Sequence, residues 1–207
     1  MVPMKRLRAN GPDAIAAAVD VLRRGGVVAY PTDTLYGLAV DPRSDTAVER
    51  LFAVKARERT QAIPLIAADA EQATLAGRFP AEALRFARAF WPGPLSIVVD
   101  AHSGLSRAVV GDDGTVAVRV PAHGLACDLA RAFGFCVTST SANLSGEPPT
   151  ASPDVVAATL AARIDLLLDA GAAPGGSPST IVAFRDGAPV LVRAGAIAWE
   201  RVLEFLE

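Results

Sequence analysis

The sequence predicts an α/β protein whose helices pack closely on a sheet. Short apolar strand patterns alternate with amphipathic helical patterns along the 207 residues, which is the arrangement that builds α/β folds. The composition agrees, because 51% of the residues are hydrophobic, Ala and Val are prominent and only 6% are aromatic. No internal repeat or shift in composition divides the chain, so we expect a single domain over residues 1–207.

Charge, cysteines and histidines argue against several classes of protein. The net charge of -2 gives no overall electrostatic case for nucleic-acid binding, although a local basic patch stays open. Cys127 and Cys136 lie in apolar sequence without paired spacing, which disfavours a disulfide and favours a reducing, cytoplasmic environment. His102 and His123 lack the spacing of metal ligands, so we expect no metal site made of protein side chains. No apolar run approaches the ~20 residues that cross a bilayer, so we expect no membrane association.

The predicted strands are short apolar runs bounded by polar, proline-containing or glycine-rich segments. The first run ends at Pro31, which has no amide hydrogen to donate to a neighbouring strand. In the run at 115–121, alternation places Thr115 and Arg119 on one face. The predicted strands cover residues 27–30, 62–67, 95–99, 115–121, 135–138, 165–169, 179–184 and 190–193, the last two forming a hairpin.

Prolines and capping residues mark the starts of the predicted helices. Pro12 fits the first position of the first helix, and Thr46 and Glu49 have the spacing of a capping box at the start of the second. Asp69 is the expected cap of a short helix. The longer predicted helices cover residues 12–24, 46–56, 80–90, 125–133 and 153–162, and a last helix ends at residue 207.

Two hydroxyl-rich loops follow predicted strands. The first is TDTLYG at residues 32–37, and the second is STSANLSG at residues 139–146. Ligands of open α/β sheets bind at strand ends, and these side chains suit the phosphates or ribose of a nucleotide. Serine-rich turns are often only caps and turns, so that alternative stays open. The glycine-rich run GAAPGGSPST at 171–180 lacks the GKS or GKT ending of a phosphate-binding loop, which indicates a mobile surface loop.

Basic residues at separate places in the chain suggest an anion-binding pocket. Lys55, Arg57 and Arg59 alternate after the second helix, so an extended segment would direct all three to one side. Basic residues at a helix end can also serve only to offset the helix dipole. Arg119 and Arg193 are isolated arginines in strands, where a guanidinium needs an anionic partner or an exposed strand end. Together with the two loops, these cations describe a pocket for phosphates and a small polar molecule, as phosphoryl or nucleotidyl transfer requires.

Several motifs occur in order between about residue 10 and about residue 195. They are YPTDTLYGLAVDP, KAR, IPLI, VAVRVPAH, STSANLSG, PSTIV and VRAG. Together they resemble the YrdC family, the L-threonylcarbamoyladenylate synthases that act in tRNA t6A modification, in its short form without an additional carboxyl-terminal domain. The resemblance implies a single YrdC-like domain with a twisted, mixed open sheet flanked by helices and a concave ligand-binding surface.

The resemblance also implies a reaction in which L-threonine, bicarbonate and ATP give threonylcarbamoyl-AMP and pyrophosphate. Mg²⁺ would be bound through the ATP phosphates, and the product would pass to the tRNA-modifying threonylcarbamoyl transferase complex. Thr34, Arg119 and Ser139 would bind threonine or its carbamate, and Lys55 and Arg57 would be the catalytic cations. The residues implied to bind ATP are Lys55, Arg57, Arg59, Thr115, Ser141, Asn143 and Arg193.

Three residues depart from the family pattern and keep alternatives open. Glu58 stands where proline is frequent after the K-x-R motif, Ala68 stands where some long-form members have histidine, and Ala183 replaces the usual aspartate after STIV. One alternative is therefore a paralogue without threonine activity, acting as a hydrolase or as another nucleotide-dependent carbamoyl-handling protein. The other is a module that binds double-stranded RNA or tRNA through phosphate contacts.

Overall fold

Strands and helices alternate along the chain in a computed structural model that describes residues 4–9, 11–56 and 62–205. This alternation confirms the predicted α/β class. The strands are β1 (Lys5–Arg8), β2 (Val28–Pro31), β3 (Tyr36–Ala39), β4 (Leu65–Ile66), β5 (Gly77–Arg78), β6 (Leu95–Ala101), β7 (Thr115–Arg119), β8 (Val137–Thr138), β9 (Thr140–Ser141), β10 (Leu166–Asp169), β11 (Thr180–Arg185) and β12 (Ala188–Arg193). The helices are α1 (Pro12–Arg23), α2 (Asp45–Lys55), α3 (Ala70–Ala73), α4 (Ala81–Phe90), α5 (Gly124–Phe133), α6 (Pro153–Leu160) and α7 (Trp199–Glu204).

The strands form two mixed sheets. The order is β1-β10-β2-β3-β9 in the first sheet and β12-β11-β6-β7-β4-β8 in the second, where β5 also pairs with β6. In the first sheet, β10 pairs with β2 in parallel and β2 pairs with β3 antiparallel. In the second sheet, β4 pairs with β7 in parallel and β6 pairs with β7 antiparallel. The expected mixed sheet is confirmed, and the structure divides it in two.

The chain crosses from one sheet to the other at Ser139. β8 pairs with β4 in the second sheet, and β9 pairs with β3 in the first. Thr138, which is fully buried, joins the two sheets, because its hydroxyl accepts from the Val40 N–H at 2.9 Å and donates to the Leu38 carbonyl at 3.1 Å. The predicted loop at 139–146 therefore begins where the two sheets meet.

Most predicted helix starts agree with the structure. Pro12 lies in the first turn of α1, and Asp69 caps α3. The predicted capping box at the start of α2 is wrong, because the helix begins at Asp45 and the Ser44 hydroxyl accepts from the Ala47 N–H at 3.3 Å. Ser44 has extended backbone, which lets its side chain reach the free N–H groups of the first turn. Within the described ranges, no helix has the length and apolar character needed to span a bilayer.

Two clusters of buried side chains hold the layers together. One joins α1 and α5 to the first sheet through residues such as Leu22, Tyr30 and Leu129, each at most 1% exposed. The other joins both sheets to α2 and α4 through residues such as Leu38 and Leu51. Burial of a leucine-sized side chain contributes roughly 1.5–3 kcal/mol, so this packing gives the strand ends a rigid support.

Candidate functional site

A cavity of about 1020 Å³ lies on one face of the second sheet and extends to the loop between β2 and β3. Alternate residues of β7 and β11 line it, as expected for one face of a sheet. Sites for single small ligands have volumes of roughly 300–1,000 Å³, so this cavity can hold an amino acid beside a nucleotide. The predicted site residues that line it are Thr34, Thr115, Arg119, Ser139, Ser141 and Arg193.

The loop between β2 and β3 presents the hydroxyl group of Thr34 to the cavity. Thr32 Oγ1 donates to the Leu35 carbonyl oxygen at 2.8 Å and accepts from the Thr34 N–H at 3.2 Å. The Thr34 hydroxyl lies 3.1 Å from Thr32 Oγ1, and either oxygen can be the donor, so this contact occupies at most one of the two lone pairs on Thr34 Oγ1. The Thr34 oxygen therefore keeps a lone pair for a ligand, which suits an N–H donor such as an amino group.

The glycine-rich run at 171–180 packs against this loop and forms part of the cavity wall. The Gly175 N–H donates to the Thr34 carbonyl at 2.8 Å, and the Tyr36 hydroxyl donates to the Gly171 carbonyl at 2.7 Å. Ser179, near the end of the run, lines the cavity. The sequence prediction of a surface loop therefore misses its structural tie to Thr34.

Arg119, the last residue of β7, forms a buried ion pair with Asp33. Its Nη1 donates to Asp33 Oδ1, and Asp33 Oδ2 accepts from the Ala122 N–H at 3.0 Å. The two side chains are only 7% and 9% exposed. Arg119 has no other hydrogen-bond partner among the described residues, so its remaining N–H groups are available to a ligand in the cavity that it lines.

A second guanidinium faces the same cavity. Arg193 Nη2 donates to the carbonyl and hydroxyl oxygens of Ser179 at 2.7 and 3.1 Å, and Ser179 Oγ lies 3.0 Å from Ser96 Oγ. Burial lowers the pKa of Arg193, and the positive charge of Arg119 lowers it further. Two guanidiniums that line one cavity have the charge and the N–H donors to pair with an anion. Neither Ser96 nor Ser179 was among the predicted site residues, because Ser96 belongs to no motif and Ser179, in the PSTIV motif, was assigned only to a strand.

Ser139 lies over a fully buried tyrosine. The Ser139 N–H donates to the Pro64 carbonyl at 2.7 Å, and the Ser139 side chain lies near enough to Tyr30 to oppose part of the rise that burial causes in the pKa of that tyrosine. The Tyr30 hydroxyl also donates to the Thr138 carbonyl at 3.2 Å. Burial raises the pKa of Tyr30, so this hydroxyl stays neutral beside Ser139, which lines the cavity. Tyr30 was outside the sequence-based site because its strand pattern indicated only a core position.

Lys55 lies behind the cavity wall and holds the segment that carries Ser141. This buried residue ends α2, and its Nζ donates to the Ser141 carbonyl at 2.5 Å and to the Asn143 carbonyl and Oδ1 at 3.0 and 3.1 Å. Ser141 Oγ donates to Asn143 Oδ1 at 2.5 Å. Among the described residues that line the cavity, Ser141 is present and both Lys55 and Asn143 are absent. In this conformation, Lys55 and Asn143 act on the cavity through Ser141.

Thr115 lies near the rim of the cavity beside a carboxylate. Its hydroxyl donates to Asp113 Oδ1 at 2.7 Å, and this hydrogen bond lowers the pKa of Asp113. Arg185 also lines this part of the cavity. A ligand therefore meets acceptor oxygens from Asp113 and Thr115 here, and a ribose hydroxyl or a base amino group has the matching donors.

The remaining sequence-based residues fall outside the described ranges, apart from two alanines. The structure does not describe residues 57–61, a range that contains Arg57, Glu58 and Arg59. Ala68 is buried and its N–H donates to a glutamine side chain, whereas Ala183 lines the cavity. In residues 4–9, 11–56 and 62–205, no group of three or more His, Cys, Asp or Glu side chains could hold a metal ion.

The fold and the cavity define an α/β protein of two mixed sheets in which two arginines face one cavity. A family model, Sua5_yciO_yrdC, with the description "Telomere recombination", matches residues 20–195. The chain therefore belongs to the Sua5/YciO/YrdC family, which confirms the resemblance found in the motifs.

Named relatives agree with this assignment. The chain is 44% identical over 158 residues to a threonylcarbamoyl-AMP synthase from Halorhodospira halophila, covering 76% of this chain and 83% of that protein. It is 35% identical over 189 residues to the enzyme of that name from Pyrococcus abyssi, covering 91% of this chain but only 56% of the relative. The crystal structure of P. abyssi Sua5 complexed with L-threonine superposes with a TM-score of 0.91 at 32% identity, over 98% of this chain and 60% of that one.

Proposed function

We propose that this protein is a threonylcarbamoyl-AMP synthase, a nucleotidyltransferase that uses L-threonine, bicarbonate and ATP. The observation that carries the proposal is the placement of Arg119 and Arg193 on one cavity large enough for both ligands. An amino-acid carboxylate and a polyphosphate each need a cation, and two separate guanidiniums supply one for each. Two relatives named threonylcarbamoyl-AMP synthase, one with a solved threonine complex, support the choice of ligands.

The threonine subsite consists of groups from three segments. Arg119 pairs with the threonine carboxylate through the N–H groups that Asp33 leaves unused. The lone pair of Thr34 accepts from the amino group, and Ser139 completes the polar contacts. This arrangement orients the amino group, once it is neutral, toward the carbon of bicarbonate.

The reaction then proceeds by formation of a carbamate and transfer of AMP. The amino nitrogen bonds to the bicarbonate carbon and water leaves. A carbamate oxygen next bonds to the α-phosphorus as the bond from that phosphorus to the β-phosphate oxygen breaks, and pyrophosphate leaves. Catalysis depends on alignment and on cations near the phosphates, since the nucleophile comes from the substrates themselves.

The ATP subsite extends from Arg193 along the cavity to Ser141 and Thr115. The resemblance adds Lys55 with Arg57 and Arg59, residues whose cationic side chains suit phosphates. Lys55 contributes by fixing Ser141, and on this proposal its ammonium also offsets phosphate charge from behind the wall. The nucleotide would enter as its Mg²⁺ complex, with the metal bound to the phosphates of the substrate.

The product is a mixed anhydride of a carbamic acid and AMP, which is a reactive acyl donor. We propose that it passes in the cytoplasm to the complex that transfers the threonylcarbamoyl group to tRNA. The free thiols Cys127 and Cys136 are compatible with that reducing compartment.

The test is direct detection of the product from the purified protein. We expect mass spectrometry to find threonylcarbamoyl-AMP, and pyrophosphate release to require threonine and bicarbonate together. Equal pyrophosphate release with either omitted would contradict the synthase and favour a paralogue with hydrolase activity. Tight, steeply salt-dependent RNA binding without any product would favour the RNA-binding module instead.

A further inference from the structure

The carboxylate of Asp33 lies behind the anion-binding wall of the cavity. Asp33 is absent from the described residues that line the cavity, whereas its neighbours Thr32 and Thr34 and its partner Arg119 all line it. Both carboxylate oxygens have protein donors, Arg119 Nη1 on one and the Ala122 N–H on the other. The Asp33 carboxylate therefore contacts Arg119 without occupying the space that a ligand would fill.

We propose that Asp33 is a positioning residue that fixes the guanidinium of Arg119 for threonine binding, an inference that rests on the proposed function. A guanidinium is planar, so a bond from Nη1 to a fixed carboxylate determines which edge faces the cavity. The Ala122 N–H prevents the carboxylate from rotating, since it holds the second oxygen at 3.0 Å. The arginine is therefore oriented before the ligand arrives, which lowers the entropic cost of binding.

Charge supplies a second reason for a carboxylate at this position. Arg119 is buried, whereas Arg193 lines the cavity from an exposed position, and the charge of Arg119 lowers the pKa of Arg193. Without Asp33, two neighbouring guanidiniums would repel each other across the empty cavity. With Asp33, Arg119 is neutralised from behind and still offers donors in front, so Arg119 can keep its place in the absence of ligand.

Asp33 could instead serve only to tie the loop between β2 and β3 to the segment after β7. The chain contains a control with the same bonding pattern for that purely structural role. Asp165 Oδ2 accepts from the Val27 N–H at 2.7 Å, and its Oδ1 accepts from Arg50 at 2.8 Å. Asp165 is outside the described lining of the cavity. Asp165→Ala should therefore lower stability and leave ligand affinity unchanged.

The first experiment is a double-mutant cycle read by calorimetric titration of L-threonine into the intact protein. We expect Asp33→Ala to raise the Kd of threonine by about tenfold or more, and Arg119→Ala to raise it at least as much. The double variant should match Arg119→Ala, because Asp33 acts through that arginine. ATP affinity of Asp33→Ala, and threonine affinity of Asp165→Ala, should stay within about threefold of the wild-type values.

Two results of the cycle would overturn the inference. One is an Asp33→Ala protein with wild-type threonine affinity. The other is a double variant whose losses multiply, because independent effects exclude action through Arg119. If Asp33→Ala does not fold, Asp33→Asn replaces it, since the amide keeps a carbonyl oxygen for one of the two donors and loses the charge.

A second measurement separates this inference from the proposed function. Arg119→Lys identifies the guanidinium signals of Arg119 in the nitrogen-15 NMR spectrum of the ligand-free protein. We expect resolved, slowly exchanging Nη signals in the wild type and averaged signals in Asp33→Ala. Absence of threonine binding to the wild type would defeat the proposed function, and the NMR comparison would still decide the role of Asp33. Identical guanidinium signals in both proteins would overturn that role.

Discussion

The N–H of Gly175 donates to the carbonyl oxygen of Thr34 at 2.8 Å, which ties the glycine-rich run to the loop between β2 and β3. Gly175 has φ of +83°, a left-handed backbone conformation that residues other than glycine rarely adopt. The conformation of a segment distant in sequence therefore fixes the backbone that carries the Thr34 hydroxyl.

A change at Gly175 should affect both stability and threonine binding. We expect Gly175→Ala to lower the free energy of unfolding by about 1 kcal/mol, because alanine is strained at positive φ. It should also weaken threonine binding through displacement of Thr34. Gly134→Ala is the control, since Gly134 has the same φ of +83° with open space around its Cα and ends α5. Equal threonine affinities of the two variants, measured by titration, would contradict the coupling.

Lys55 leads to a prediction about a buried cation. Lys55→Met removes the ammonium donor from both carbonyls; the Ser141 carbonyl keeps the Asn143 N–H at 3.0 Å, and the Asn143 carbonyl is left unsatisfied among the described residues. An unsatisfied buried acceptor costs about 1–3 kcal/mol, so we expect a loss of at least ~2 kcal/mol in the free energy of unfolding by urea titration. ATP affinity should fall more than threonine affinity, because Ser141 belongs to the ATP subsite.

The control for this variant is Lys5→Met, which removes an exposed lysine from an edge strand. We expect its unfolding free energy to stay within ~0.5 kcal/mol of the wild type. A Lys55→Met protein as stable as this control, with unchanged ATP affinity, would show that the bonds to the 141–143 segment do not fix the wall.

Much of the fold was predictable because the sequence patterns that specify its helices and strands are local. Apolar runs, prolines and caps predict most helices and the β11–β12 hairpin, which the structure confirms. The strand β1 was missed, since only Leu7 in its sequence KRLR is apolar. Its strand conformation comes from parallel pairing with β10 and from ion pairs of Arg6 with Asp154 and Asp169, which depend on distant parts of the chain.

The candidate site, like the fold, was predictable where its sequence patterns are local and was missed where contacts between distant segments decide. Motifs predict six positions that line the cavity, at strand ends or on a strand face, but they also name Lys55 and Asn143, which are outside its described lining. The supporting residues Tyr30, Asp33 and Ser179 were missed, since pairing across the fold gives them their roles. The role of Asp33 could have been predicted from the sequence. A strand arginine such as Arg119 requires an anionic partner, and the YPTDT motif supplies the aspartate Asp33.

The two arginines of the cavity should separate the two substrates. Lysine keeps the charge of Arg119 but cannot both pair with Asp33 and present a planar edge to a carboxylate. We therefore expect Arg119→Lys to raise the Kd of threonine about tenfold with little effect on ATP, and Arg193→Lys to raise the Kd of ATP by a similar factor with little effect on threonine. Titration of each ligand into each variant checks this. Equal losses for both ligands in both variants would contradict the division of the cavity.

His123 should make the stability of the protein depend on pH. This residue precedes α5, and within the described residues its Nδ1 is buried without a hydrogen-bond partner. Burial lowers the pKa of His123 below its ordinary 6.5, against a smaller opposing effect of Asp33. The unfolded chain therefore binds this proton more readily, so the free energy of unfolding should be fully retained above pH 6.5 and fall as the pH drops through the folded-state pKa.

Denaturant titrations between pH 5 and pH 8 on His123→Gln check this sign, since the variant has no proton to bind in this range. We expect its unfolding free energy to fall less steeply below pH 6.5 than that of the wild type. His102→Gln, which replaces the exposed histidine at the end of β6, is the control and should keep the wild-type slope. Parallel curves for the wild type and His123→Gln would show that protonation of His123 does not account for the acid destabilisation of this fold.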